Sequence, residues 1–510
     1  MANATSGESS RLAGYTALIR QYDLSVLPNW HESLVAAGNT HRVESLGGRT
    51  HELLPSRYWP GDSLGNQLEF ALKYDGTNLG ILAKVFMAAP QDDLLSYIRS
   101  RPTGKYARRI WYLYELLTGV RLPLKDLNRG NYVDLLDPEA YYTSAGRPVR
   151  RQRVRDNLLG DAGFSPAVRR TDRLKGFEKA GLAERCRQIM AGHPADLLKR
   201  ALGYLYTKET KSSFEIEHIT PSATRTERFV ALLQTAEDED FVGKEALLGL
   251  QSRIVDERFR DRDYRQSQNY VGETAAWQQE RVHYVSPKPQ DLPAMMDGMF
   301  AAHHRMGDGG VHPVVHAAAV AFGFVFLHPF EDGNGRIHRF LIHNVLARRG
   351  FTPKGIMFPV SAAMLKNRGA YEAALEAFSK PLMALVDYSL DENGRMTVHN
   401  DTAVFYRYID MTDQAEALFQ FIQETIERDL VEELDFLRNY DEARSAIQQV
   451  VDMPDRMIDL FIRCCLQNNG RLSSRKRAGD FSRLTDAEVQ RMEAIVQKAY
   501  RTRPGEFGMT

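Results

Sequence analysis

Twelve consecutive residues, His328-Pro329-Phe330-Glu331-Asp332-Gly333-Asn334-Gly335-Arg336-Ile337-His338-Arg339, concentrate most of the chemistry this chain can offer. Glycines on either side of Asn334 permit positive φ and let a ligand approach backbone N–H groups closely. Those groups fall where a helix begins, which is a ready anion site. Arg336 and Arg339 are three apart, so both guanidinium groups share a helix face beside the loop and can clamp phosphate oxygens. Asp332 supplies a hard oxygen ligand suited to Mg²⁺ on a polyphosphate. His328 is the group in the loop whose ordinary pKa suits a general base near neutrality. A phosphate cradle, a metal carboxylate and a base together suit nucleotidyl or phosphoryl transfer.

Such a loop must be held between rigid elements. Pro313–Leu327 is an apolar run long enough for a buried helix, and a second helix is predicted from about Arg336 to Arg348. Elsewhere Asp62–Leu79, Gly104–Leu117 and Asp413–Tyr500 carry apolar residues at three- and four-residue spacing, so the expected fold class is all-α. Arg147, Arg150, Arg151, Arg153 and Arg155 crowd a compositional break at Ala145–Thr171, read as a solvated face or an interdomain surface. Asp391-Glu392-Asn393-Gly394-Arg395 is a turn signal. These breaks divide the chain into an N-terminal helical region (1–190), a central catalytic unit (191–394) and a C-terminal helical region (395–510).

Composition narrows the function classes. The 510 residues are 43% hydrophobic and 26% charged, which excludes a disordered or low-complexity chain. Lys+Arg and Asp+Glu both number 66, so no global field draws nucleic acid or an anionic membrane. Three cysteines, two of them adjacent, make neither a disulfide framework nor a CxxC zinc pattern. The N-terminus lacks the pattern of a signal peptide, and the expectation is a cytoplasmic protein without a membrane span. There is no GxxxxGK[ST], so a Walker-type NTPase is out. His303, His304, His312 and His316 are dense, but Pro313 follows His312 and no cysteine is near, so they read as structural histidines.

The signature from His328 to Arg339 closely resembles that of Fic proteins, HPFx(D/E)GNGRxxR, at every fixed position. The wider resemblance covers roughly Lys208–Asp387. It implies an all-α Fic core with a small β-hairpin flap, and transfer of AMP from Mg·ATP to a Ser, Thr or Tyr hydroxyl of a target protein. On that resemblance His328 is the base and Phe330 anchors the loop. Asp332 holds Mg²⁺, and Gly333, Asn334 and Gly335 form the anion hole. Arg336 and Arg339 bind the β- and γ-phosphates, so that pyrophosphate leaves.

Three further segments extend the resemblance. Tyr264–Gln290 is similar to the flap that aligns a target's backbone by strand addition. Ser212-Ser213-Phe214-Glu215-Ile216-Glu217 resembles the inhibitory motif (S/T)xxxE(G/N), with Ser213 and Glu217 in the fixed places and His218 where Gly or Asn is usual. Lying before the signature, it implies an N-terminally inhibited member in which Glu217 pairs with Arg339. Tyr371 and Ser379 fall where the family lines the adenine base, although some members carry Asn in place of Ser379. Relatives also transfer UMP, remove AMP or dimerise to tune inhibition. Other transfer chemistry, a homodimer, and a binding protein with a silent Fic unit are therefore alternatives the resemblance leaves open.

Overall fold

Pro313–Leu327 is apolar on all sides, and in the computed structural model it lies at the centre of the molecule with thirteen of its fifteen residues buried. The structure describes residues 10–275 and 279–500. Around the central helix pack the signature helix Asn334–Arg348, the preceding helix Leu292–Asp308 and, from the C-terminal side, Thr412–Glu424. The helix stops at His328, whose φ of 51° is left-handed, and Pro329 cannot continue it. The signature helix restarts six residues later, with Gly333 at φ 91° as its N-cap.

The described residues are mainly helical, as expected, with small sheets added. One large apolar cluster includes residues from Ala83 to Leu434, so the helical core recruits side chains from both flanking regions. A second gathers Tyr15 to Leu158, and a third Ala443 to Val496. No helix among the described residues is long and apolar enough to cross a membrane.

The N-terminal helical region also carries two small sheets. Ser10–Leu12, His31–Ala36, Arg49–Leu54 and Arg42–Leu46 form a four-stranded sheet in that order, and Val133–Asp134, Val154–Asp156 and Arg147–Val149 form a three-stranded one. Gly47 and Gly48, at φ 59° and 79°, close a two-residue hairpin, a turn that needs positive φ at both positions. The helix expected over Asp62–Leu79 ends earlier, at Asp75, because Gly76 turns to φ 85°. The arginine-rich break is a folded part of this region: Arg151 pairs with Glu115 at 2.9 Å and Arg155 with Asp134 at 2.6 Å.

Candidate active site

The turn between the two central helices is tied together by Asn334. Its side-chain oxygen accepts from the Phe330 N–H at 3.1 Å, and its amide donates to the Phe330 carbonyl at 2.7 Å. The Asn334 side chain is therefore a staple of the loop, and what it can offer an anion is its backbone N–H. Phe330 is fully buried, with Tyr264 and Phe324 nearby, and fills the role of anchor. At the start of the signature helix the first N–H groups have no intrahelical acceptor and remain available to an oxyanion.

His328 sits at the edge of this turn, half-buried. Its Nδ1 lies 3.2 Å from the Val325 carbonyl, which fixes a proton on Nδ1 and leaves Nε2 as the basic nitrogen. Burial pushes its pKa down to about 4, against the Val325 hydrogen bond and with help from the Arg265 charge. The imidazole is therefore neutral at pH 7 and able to accept a proton. Asp332 has one carboxylate oxygen tied to its neighbour's Gly333 N–H at 2.6 Å and to Arg336 at 2.8 Å. The side chain is otherwise 55% exposed, so a fixed carboxylate faces solvent, a donor that fits a Mg²⁺ brought in with nucleotide phosphates.

The helix Ala195–Glu215 carries Ser213 and, just beyond its end, Glu217. Arg339 donates from Nε to Ser213 Oγ at 2.8 Å, and from Nη2 to the Ser213 carbonyl and Glu217 Oε1, both at 2.6 Å. That carbonyl belongs to the last helical turn and has no helical partner of its own. The other carboxylate oxygen, Glu217 Oε2, is 2.9 Å from Arg336 Nε. Glu217 thus bridges both arginines of the signature helix, where the sequence pointed to Arg339 alone. Arg339 and Arg336 side chains are 2% and 4% exposed, so this is a nearly dry ion cluster. Gly335 makes room for it: a Cβ there would come within 2.5 Å of Glu217 Oε1.

His218 clarifies the departure from the inhibitory motif. Ile219 N–H donates to the Phe214 carbonyl at 3.0 Å and His218 N–H to that of Glu215 at 2.9 Å, a Schellman end whose left-handed residue is His218 at φ 58°. Gly or Asn suits such a position. Histidine carries a left-handed strain of ~1–2 kcal/mol, and its Nε2 accepts from Arg368 Nη2 at 2.9 Å. The helix geometry survives the substitution, and Glu217 stays in reach of both arginines.

Tyr371 and Ser379 lie on one helix, Arg368–Met383, both buried. Tyr371 is stacked on His338 with ring centroids 6.2 Å apart, and its hydroxyl interacts with Arg339 of the signature helix. His338 itself is fully buried with Nδ1 on the Ala321 carbonyl at 2.8 Å, and burial pushes its pKa down to about 3.

The flap is a hairpin of Tyr270–Ala275 and Gln279–Val285, with a bulge at Val271/Gly272. Its tip, residues 276–278, lies outside the described residues. Arg265, at the base of the flap, is a site residue that sequence reasoning missed. It is 3% exposed and donates to the carbonyls of His328 (2.8 Å), Ser267 (2.8 Å) and Pro287 (2.5 Å), while its backbone N–H donates to that of Pro329 (2.9 Å). Nothing in its local sequence marks it. A second unforeseen contact is a buried pair, Glu209 with His343 at 2.7 Å, which joins the Ser213 helix to the signature helix. Glu209 is four residues before Ser213, and that spacing was the available signal.

Part of the chain is similar to known proteins. Residues 241–346 match the Fic/DOC family. The chain is 31% identical over 116 residues to protein adenylyltransferase Fic of Aedes aegypti, covering 22% of this chain and 21% of that protein. It is 34% identical over 91 residues to the Drosophila virilis protein of that name, covering 18% and 17%. The chain thus spans about a fifth of the length of these relatives. Among solved structures, a Fic family protein from Desulfovibrio desulfuricans G20 matches with a TM-score of 0.36 and 15% identity over 64% of this chain and 84% of its own. The segment that matches the Fic/DOC family is thus the one that carries the His328 turn, Arg336 and Arg339.

Proposed function

We propose that this chain is a protein adenylyltransferase that moves AMP from Mg·ATP to a Ser, Thr or Tyr hydroxyl of another protein, and that Glu217 holds it inactive. The observation that carries the reading is the single turn in which a neutral His328, an exposed fixed Asp332 and two arginines converge. His328 Nε2 takes the hydroxyl proton as the target oxygen forms its bond to the α-phosphorus. The bond to the β-phosphate oxygen breaks, and pyrophosphate leaves. Backbone N–H groups at the start of the signature helix stabilise the charge on the α-phosphate. Arg336 and Arg339 hold the leaving phosphates once Glu217 is displaced. Asp332 would hold Mg²⁺, whose charge offsets that of the phosphates. The flap adds a target strand to its edge and so aligns the hydroxyl by backbone rather than sequence.

The test is self-labelling with ATP radiolabelled on its α-phosphate, in Mg²⁺. Label on Glu217→Gly, weak label on the parent and none on Glu217→Gly/His328→Ala is the expected pattern. No label on any of the three refutes adenylyl transfer, and favours another donor such as UTP or a binding protein with a silent Fic unit.

A further inference from the structure

A cavity of about 480 Å³ opens beside the signature turn and is not part of it. Its floor is apolar: Phe214 and Phe229, 1% and 3% exposed, meet edge-to-face. Its rim is cationic. Arg225, Arg228, Arg253, Arg258 and Arg260 line it, against the two carboxylates Asp256 and Glu257. Asp256 is taken by Arg258 at 2.9 Å and Arg225 at 3.7 Å. Arg228, Arg253 and Arg260 have no carboxylate partner among the described residues.

Like charges gathered at a concave surface repel one another and focus a positive potential into it. The arrangement is stabilised when an anion sits between them, and arginine's planar fork matches phosphate oxygens in particular. The volume is that of a small-molecule site rather than a groove for a folded partner. The walls also touch the catalytic apparatus. Phe214 lies on the helix before Glu217 and under the Arg336 guanidinium at 5.4 Å. Ile254 offers its carbonyl to Arg336 Nη1 at 3.3 Å, and Val255 lies where a Cβ on Gly333 would come within 2.9 Å.

We propose that this cavity is a second anion site that takes a phosphorylated small molecule, separate from the cradle formed by the signature loop. The phosphate groups sit among Arg228, Arg253 and Arg260, above a floor closed by the buried Phe214 and Phe229. Because the site is defined by binding alone, it stands or falls independently of adenylyl transfer.

The probe is inorganic tripolyphosphate, titrated by calorimetry into the full chain at physiological salt, with sulfate as a control for non-specific anion binding. Arg228→Ala/Arg253→Ala/Arg260→Ala should weaken binding by tenfold or more. All three side chains are exposed, so the fold should be unaffected, and an unchanged melting curve checks this. Arg339→Ala, which disables the cradle, should change the affinity by less than threefold. The reverse pattern, equal binding of sulfate, or no binding at all overturns the site.

Discussion

Removing Glu217 should make the protein less stable and at the same time more responsive to ATP. In Glu217→Ala two buried guanidinium groups lose their shared counter-ion. Breaking a buried pair by deleting one partner costs ~3–5 kcal/mol, and the 23% exposure of the Glu217 side chain places this case near the lower end. For a unit of roughly 200 residues, ~3 kcal/mol lowers Tm by roughly 6–12 °C. A triphosphate supplies the missing anion. At a concentration one hundred times the Kd of the open cradle, Mg·ATP returns ~2.7 kcal/mol, most of the loss. In the parent the same ligand must first displace Glu217. A ~3 kcal/mol penalty weakens its Kd about 150-fold, so the same concentration stabilises by only ~0.3 kcal/mol. The assay is differential scanning fluorimetry of both proteins with and without Mg²⁺ and a non-hydrolysable ATP analogue. An equal ligand shift in the two proteins, or an unchanged Tm in the variant alone, refutes the reasoning.

Other expectations concern the base and its supports. Because His328 is held down to about 4, labelling by Glu217→Gly should stay level from pH 8 to about pH 5; a half-maximal loss near 6.5, the ordinary imidazole value, contradicts the environment described. His328 and His338 are both neutral when folded but bind protons near pH 6.5 when unfolded. Their contribution to stability is present above that value and falls as pH drops, by up to about 3 kcal/mol in total at pH 5.5; urea melts at pH 7.5 and 5.5 measure it. Arg265→Ala leaves three carbonyls unpaired, including that of His328, and should lower the transfer rate of the Glu217→Gly background ten- to a hundredfold with little change in ATP affinity. Arg265→Lys, which retains the charge but not the fork, should restore only part of the rate. Asn334→Asp puts a carboxylate oxygen against the Phe330 carbonyl and should cost about 2–3 kcal/mol, read as a lower melting temperature.

The parts of the site legible in the sequence were those whose function depends on residue type at short range. The turn and the two central helices follow from local spacing, while the flap strands and Ser213 with Glu217 rest on the resemblance to Fic motifs. What stayed hidden depends on distant segments meeting. The grip of Arg265 on the His328 carbonyl spans 63 positions, and the Glu209–His343 pair spans 134. Glu217 reaching Arg336 as well as Arg339 is a matter of how the Schellman end aims one carboxylate, which a motif cannot express. The N-terminal strands were overlooked for a different reason: Arg42–Leu46 is exposed on both faces and lacks the alternation that marks a half-buried strand, although Gly47-Gly48 was a visible hairpin signal.

The helix that ends just before Glu217 is moored far from it in sequence. Asp429, almost fully buried, accepts from Lys208 on that helix at 2.5 Å and from Lys366 at 2.8 Å. During synthesis Glu217 emerges before the signature turn, so no nascent chain displays His328 without already containing the carboxylate that pairs with Arg336 and Arg339. The mooring comes last, about 90 residues after Arg339. At ~5–20 residues per second, the turn and its carboxylate coexist for roughly 5–20 s before Asp429 is made. Order of birth therefore places the carboxylate ahead of the arginines it pairs with, and leaves a short interval in which its helix is present but not yet moored.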